Sequence, residues 1–170
     1  DHLTWAAFFV SLVGAAAFLG GFHASFIAGG IFVQLGSILD CADGMLARAR
    51  DQCTERGAFL DLILDRITEF VVLGALTVGT YRARGSQVVL IIALGAIALH
   101  FLQTTIYYLL LIYRKEPRMG QQAELRGLYN FLILSFSVLN KPELIFYALF
   151  AEALISVFYL VFRFFRPTRG

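Results

Sequence analysis

The sequence predicts an all-α integral membrane protein, a bundle of six transmembrane helices. Of its 170 residues, 59% are hydrophobic and only 15% are charged, and its mean hydropathy is +0.74. A soluble domain is usually nearer half apolar and a quarter charged. One small core cannot hide this much apolar surface, so lipid must cover the rest. The apolar residues also fall into long runs that short polar segments separate.

Each of the six runs approaches the roughly 20 residues that a helix needs to cross the hydrocarbon. The first ends at the pair Gly20 and Gly21, and the second runs into Asp40. The third carries acids in its first turns and then becomes apolar. The fifth is short and stops before Pro142. We therefore expect helices over 3–22, 23–39, 57–81, 88–113, 124–139 and 143–165, with polar segments at 45–56, 82–87 and 114–122.

The loop charges predict the orientation. Six spans that start inside place 45–56, 114–122 and the C-terminus in the cytoplasm, and these segments hold most of the arginine and lysine. The positive-inside rule then favours both termini inside a cell membrane. A net charge of +2 is too small to indicate a nucleic-acid partner. Because the chain starts at Asp1, we expect residues 1–170 to be a single membrane domain from a longer protein.

Four aspartates near two predicted helix ends are the main functional signal. Asp40 and Asp43 are three residues apart, and Asp61 and Asp65 are four apart, so each pair can share a helix face. Charged groups at membrane depth are costly and by default suggest function. Four close carboxylates repel one another unless cations lie among them. Oxygen ligands favour Mg²⁺ or Mn²⁺ over Zn²⁺, and a pair of such ions suits phosphoryl chemistry.

The residues around these aspartates suit a phosphate ligand. Gly44 leaves room beside Asp43, and Ala47 is small one turn later. Arg48 supplies a fixed charge and a fork of donors that matches phosphate. Gly57 opens space on the face that carries Asp61. We therefore expect a phosphate-containing ligand beside the metal site.

The segment from Asp40 to Arg48, followed after eight residues by the segment from Gly57 to Asp65, resembles the signature of the CDP-alcohol phosphotransferase family. That signature is D-x-x-D-G-x-x-A-R, eight variable residues, then G-x-x-x-D-x-x-x-D. Every fixed position matches and the spacing is kept, so chance is a negligible explanation. The six-span layout extends the resemblance less specifically over the whole chain.

The resemblance implies an enzyme that transfers a substituted phosphoryl group from a CDP-linked donor to an alcohol and releases CMP. It implies that Asp40, Asp43 and Asp61 bind metal, and that Asp65 both binds metal and accepts the proton of the acceptor hydroxyl. Three of these aspartates, Asp40, Asp43 and Asp61, also fall in the implied CDP site. The remaining implied CDP-site residues are Gly44, Ala47, Arg48 and Gly57. Homodimers are usual in this family.

The alcohol acceptor is less specified. Asp65 followed by Arg66 resembles the branches that use inositol phosphate. These include phosphatidyl- or archaetidylinositol-phosphate synthases, with a CDP-lipid donor, and di-myo-inositol-phosphate-phosphate synthases, with CDP-inositol. Glycerol phosphate or serine as acceptor remains an alternative. The candidate residues for the acceptor phosphate are Arg114, Lys115, Arg118 and Arg126.

The carboxylates also allow an interpretation in which the protein is not an enzyme. A divalent-cation transporter would also need intramembrane carboxylates, but it would place them along a path rather than at one end.

His100 and Gln103 give the fourth span a polar face, which favours hydrogen bonds between helices. Glu69 lies one turn beyond Asp65 and is expected either to support the site or to be a buried hydrogen-bonded acid.

Overall fold

The computed structural model describes residues 2–49, 54–114 and 121–165, without the side chains of 55, 114 and 121–127. These residues form six helices and contain no strand. The helices are α1 (His2–Phe18), α2 (His23–Ala49), α3 (Glu55–Arg84), α4 (Gln87–Arg114), α5 (Gln121–Val138) and α6 (Glu143–Phe165). The all-helical class and the number of helices are therefore as the sequence predicts.

Three of the helices, α2, α4 and α6, are long and apolar enough to cross a membrane. By contrast, α1 has 17 residues, about 26 Å at 1.5 Å per residue, which is short for a hydrocarbon core of about 30 Å. The apolar part of α5 is shorter still, Leu128–Val138. With 30 residues α3 is long, but charged residues near both ends interrupt its apolar run. The described helices thus support a membrane protein with three candidate spans.

Two predicted polar segments are partly helical. Residues 45–49 belong to α2 rather than to a linker, so the helix continues ten residues past its expected end. Residues 82–84 likewise belong to α3, which ends at Gly85 with a φ of 64°. Only glycine adopts this left-handed conformation without strain, so Gly85 fixes the end of α3. At the other end of α3, Thr54 is the N-cap and its hydroxyl accepts a hydrogen bond from the Gly57 N–H.

The main helix contacts form a closed ring in the order α1, α2, α5, α6, α4, α3 and back to α1. The contacts between α1 and α2 and between α4 and α6 are the most extensive. Glycines allow the close approaches: a Cβ at Gly79 would lie 2.0 Å from the Phe18 carbonyl oxygen, and one at Gly14 would lie 2.9 Å from that of Gly29. Small residues let helix backbones approach closely. Such packing matters in a membrane, because no hydrophobic force drives helices together in lipid.

The connections between α1 and α2, α3 and α4, and α5 and α6 lie at one end of the ring, where polar contacts join them. The Arg82 guanidinium donates to the Leu19 carbonyl oxygen at 2.7 Å. Arg84 donates to the Asn140 carbonyl oxygen, and its Nε lies 3.3 Å from Glu143 Oε2. The four carboxylates of the sequence motif lie toward the other end of the ring, near the C-terminus of α2 and the N-terminus of α3.

The outer surface of the ring is apolar. Ile91, Ile155 and Phe158 are each 69% exposed, as large hydrophobic side chains on a soluble surface rarely are together. The buried core lies inside the ring and contains Phe18, Phe26, Leu76, Ile145 and Phe146. Lipid is the solvent that suits such an outer surface.

Candidate metal centre

Three carboxylates from two helices converge at one end of the ring. Asp40 lies on α2, and Asp61 and Asp65 lie one turn apart on α3. Each offers one oxygen atom, and these atoms all lie within 4.8 Å of one another. Because like charges this close repel strongly, the arrangement suits a divalent cation between them.

Asp43, the fourth aspartate of the motif, is not part of this group of three. The hydroxyl of Thr4 donates a hydrogen bond to its Oδ2 atom, so Asp43 contacts the first turn of α1. Asp40 and Asp43 therefore share one stretch of α2, while only Asp40 faces the two aspartates of α3. The sequence alone did not indicate the contact with Thr4, which requires knowing that α1 packs on α2.

Arg48 and Gly44 lie next to each other on the last turns of α2. A Cβ at Gly44 would lie 3.5 Å from Nη1 of Arg48, so the guanidinium passes beside the glycine backbone. Arg48 is exposed, and Ala47 is half-buried beside it. An exposed guanidinium one helical turn from Gly44 is placed where it can meet a phosphate.

Gly57 lies in the first turn of α3, where its N–H donates to the Thr54 hydroxyl oxygen at 3.0 Å. A Cβ at this position would lie 3.0 Å from the same oxygen atom, a tight contact. Gly57 thus belongs to the cap that begins the helix carrying Asp61 and Asp65. This local role was not part of the sequence interpretation, which considered only the space on the Asp61 face.

A cavity leads from the three carboxylates toward the inside of the ring. Its volume is about 70 Å³, room for about five water molecules at 10–15 Å³ each. Small and polar residues of α1 and α2 line its first part, among them Thr4, Ser11 and Ser37. A hydrated ion and a small polar group therefore fit beside the carboxylates.

A chain of polar contacts lies behind the carboxylates, between α3 and α4. The guanidinium of Arg66 and the carboxylate of Glu69 lie 2.7 Å apart, and the His100 ring donates to Glu69 at 2.6 Å. Gln103 donates to Glu152 of α6 at 2.9 Å. These contacts confirm that His100 and Gln103 join helices. They also show that Glu69 is a hydrogen-bonded acid that lines the same cavity as Asp65.

The side chains of the four basic residues expected to bind the acceptor phosphate all lie outside the described part of the structure. Lys115 and Arg118 lie outside the described residues. Arg114 is the last residue of α4 and Arg126 lies in the second turn of α5, and the side chains of both are outside the description. The sequence interpretation missed Tyr129 and Asn130 of α5, which line the cavity.

The donors suit a hard cation. Asp40, Asp61 and Asp65 offer only carboxylate oxygens, and within the described residues no histidine or cysteine joins the group. Mg²⁺ and Mn²⁺ prefer such oxygen ligands and usually keep several waters, for which the cavity has room. The residues present therefore fit a divalent cation of this kind.

Fold and site together define a helical membrane protein with an acidic, cation-compatible centre at one end of its helix ring. The sequence model of the CDP-alcohol phosphatidyltransferase family matches residues 1–163. The chain therefore belongs to the CDP-alcohol phosphatidyltransferase family.

Several proteins of known description are similar to parts of this chain. The chain is 50% identical over 48 residues to a bifunctional IPC transferase and DIPP synthase of Aquifex aeolicus, covering 28% of this chain and 11% of that protein. It is 37% identical over 79 residues to a protein of the same description from Rubrobacter xylanophilus, covering 46% and 17%. An archaetidylinositol phosphate synthase of Methanothermobacter thermautotrophicus is 31% identical over 81 residues, covering 48% and 40%. The matched parts are thus less than half of each relative.

Proposed function

We propose that this chain transfers a substituted phosphoryl group from a CDP-linked donor to an inositol phosphate, with release of CMP. The observation that carries the proposal is the convergence of Asp40, Asp61 and Asp65, at the spacing of the family motif. Family membership supports the reaction type. The descriptions of the relatives, IPC transferase and DIPP synthase and archaetidylinositol phosphate synthase, support the acceptor.

The proposed metal ligands are Asp40, Asp61 and Asp65, together with Asp43 once a ligand displaces Thr4 from its carboxylate. Two Mg²⁺ or Mn²⁺ ions would neutralise the pyrophosphate and the departing CMP. Arg48, beside Gly44, binds a phosphate of the donor, with Ala47 leaving space for it. Gly57 fixes the start of α3 and thereby the direction in which Asp61 points.

Asp65 is the proposed proton acceptor for the attacking hydroxyl. It lies one turn inside Asp61 and lines the cavity in which an acceptor would reach the donor. Positioning of the two substrates by these residues then supplies most of the acceleration, as in other phosphoryl transfers. Arg114, Lys115, Arg118 and Arg126 are the proposed partners of the acceptor phosphate.

The proposed setting is a cell membrane with the carboxylates on the cytoplasmic side and both termini inside. The short loops next to the acidic end carry more arginine and lysine than those at the other end, which supports this orientation. We further propose that residues 1–170 form one membrane domain, with six crossings, and that the protein is a homodimer. Crosslinking in native membranes and cysteine labelling from each side test these two points.

CMP release tests the reaction. Purified protein in detergent receives Mg²⁺, inositol phosphate and either CDP-diacylglycerol or CDP-inositol. We expect CMP release with at least one donor and none without inositol phosphate. Release with the lipid donor identifies a phospholipid synthase, and release with CDP-inositol alone identifies an enzyme that makes a soluble product. Release with glycerol phosphate but not inositol phosphate would overturn the acceptor while leaving the reaction type intact.

A further inference from the structure

The cavity extends past the metal centre into the ring, and its lining changes in character. Next to Asp65 it is lined by Thr68 and Glu69 of α3 and by Tyr129 and Asn130 of α5. Beyond them the lining is apolar, with Val33, Val72, Leu73, Ile133 and Leu149. A polar layer thus lies between the three aspartates and an apolar floor.

The three α3 residues Asp65, Thr68 and Glu69 lie at positions i, i+3 and i+4, which share one helix face. The backbone rise from Asp65 to Glu69 is about 6 Å, at 1.5 Å per residue. A group that reaches from the reacting hydroxyl at Asp65 to Glu69 therefore spans about one helical turn, which suits a ring bearing several hydroxyls.

Neighbouring groups hold the polar layer in place. Glu69 is fixed by Arg66 at 2.7 Å and by His100 at 2.6 Å. A carboxylate has about four lone pairs with which it can accept hydrogen bonds. The ring of Tyr129 packs edge-on against His100, with ring centroids 5.7 Å apart, so the α5 residue next to Asn130 contacts a side chain of α4. Within the described part of the chain, no hydrogen bond engages the Asn130 carboxamide, which faces the cavity.

The donors and acceptors in this layer match hydroxyls rather than phosphate. A carboxylate only accepts, whereas a carboxamide and a threonine hydroxyl both donate and accept, as an alcohol does. Among the described residues that line the cavity none is an arginine or a lysine, so a phosphate group finds no cationic partner in this layer and the phosphate end of an acceptor must lie elsewhere. An acceptor that is both phosphorylated and rich in hydroxyls can meet this layer in only one orientation.

We propose that Thr68, Glu69 and Asn130 form a hydroxyl-binding subsite that selects a polyol phosphate as acceptor and keeps its phosphate out of this layer. This inference rests on the proposed function, because it assigns part of the acceptor site for that reaction. Asn130 and Thr68 bind ring hydroxyls that do not react. Glu69 accepts a hydrogen bond from a further hydroxyl, and the described lining offers no cation that would hold the phosphate in this layer.

The test compares the kinetics of Asn130→Leu with those of the parent protein, using the CDP donor that supports CMP release. Loss of one or two hydrogen bonds raises the KM for inositol phosphate by roughly three- to tenfold. The KM for the donor and the kcat stay within about twofold, because donor and metal bind at the carboxylates. The preference for inositol phosphate over glycerol phosphate, which has fewer hydroxyls, narrows in the variant. Thr68→Val, which keeps the side-chain shape, changes the same parameters in the same direction.

Two matched controls separate recognition from structure. Gln34→Met removes a carboxamide from α2 that does not line the cavity, and Thr105→Val removes an exposed hydroxyl from α4. Both are expected to keep the parent KM for inositol phosphate. An unchanged acceptor KM in Asn130→Leu and Thr68→Val, or equal changes in the controls, overturns the subsite while CMP release by the parent preserves the proposed function. A parent that releases CMP only with non-polyol acceptors overturns the acceptor and the subsite together.

Discussion

At the scale of single residues, the charges of Asp40, Asp61 and Asp65 account for most of what is unusual in this chain. Three carboxylates whose oxygens lie within 4.8 Å of one another destabilise a helix ring that contains no cation. Nearby, the Arg66 and His100 side chains contact Glu69. The oxygens of the three aspartates still lie close enough together to bind one cation.

The first prediction concerns Asp61. The Asp61→Asn variant keeps the size of the side chain but weakens a metal ligand, and we expect CMP release to fall by about a hundredfold or more. The control is Glu143→Gln, at the other end of the ring, where the carboxylate contacts Arg84 instead. Full transferase activity in Asp61→Asn would contradict the metal centre.

At the scale of helices, close packing through glycine decides where neighbouring helices meet. Gly79 of α3 lies against the end of α1, and a Cβ there would be 2.0 Å from the carbonyl oxygen of Phe18. By contrast, nothing lies within 4 Å of a Cβ placed at Gly74, on the same helix. The two glycines are therefore a matched pair, one required by a neighbouring backbone and one not.

The second prediction follows from this pair. Gly79→Ala forces α1 away from α3, and we expect it to lower the free energy of unfolding by about 1–3 kcal/mol. Gly74→Ala meets no obstacle and gains helix propensity, so it is neutral or stabilising by up to about 1 kcal/mol. Thermal unfolding in one detergent measures both. Equal destabilisation by the two substitutions would show that α1 and α3 do not pack at Gly79.

Helix ends also show what the sequence could and could not specify. The bounds of α6 agree with the expected 143–165, because Pro142 and the polar residues before it mark a clear start. The expected end of α2 at residue 39 was wrong, because the alanine, methionine, leucine and arginine residues that follow are good helix formers and let the helix continue to Ala49 despite its aspartates and Gly44. Polarity marks where a helix leaves an apolar environment, and not where it ends.

The sequence likewise predicts some features of the site and not others. Asp40, Asp61 and Asp65 could be placed together from spacing alone, because each pair lies on one helix face and a short connection joins the helices. The contact between Thr4 and Asp43 could not be predicted from the sequence, because it depends on how α1 packs against α2. Asn130 was missed for the same reason: whether it faces the cavity depends on the rotation of α5 about its own axis.

At the scale of the whole molecule, the closed ring explains how so few polar residues can form a site within an apolar chain. The ring places the carboxylates of α2 and α3 at one end and the paired arginines at the other, where Arg82 and Arg84 satisfy the ends of α1 and α5. Polar contacts between α3 and α4 and between α4 and α6 join the two sides of the ring. One of these residues, Glu69, both joins two helices of the ring and lines the cavity.

The third prediction is that a divalent cation stabilises the whole fold. A ligand that binds only the folded state at about a hundred times its Kd contributes about 2.7 kcal/mol to stability. Mg²⁺ or Mn²⁺ also removes the repulsion among Asp40, Asp61 and Asp65, so we expect either ion to raise the Tm by several degrees and EDTA to reverse the rise. Ca²⁺, which prefers more ligands and longer bonds, should have a smaller effect.

Asp61→Asn distinguishes binding at this centre from a general effect of salt. The variant loses one of the three charges, so its Tm without metal should rise while its response to Mg²⁺ falls. Glu143→Gln should keep the full response, because its carboxylate lies at the other end of the ring. If Asp61→Asn and Glu143→Gln respond to Mg²⁺ alike, the ion acts elsewhere. A response confined to proteins with all three carboxylates establishes, without any assay of activity, that the ring is built around a cation.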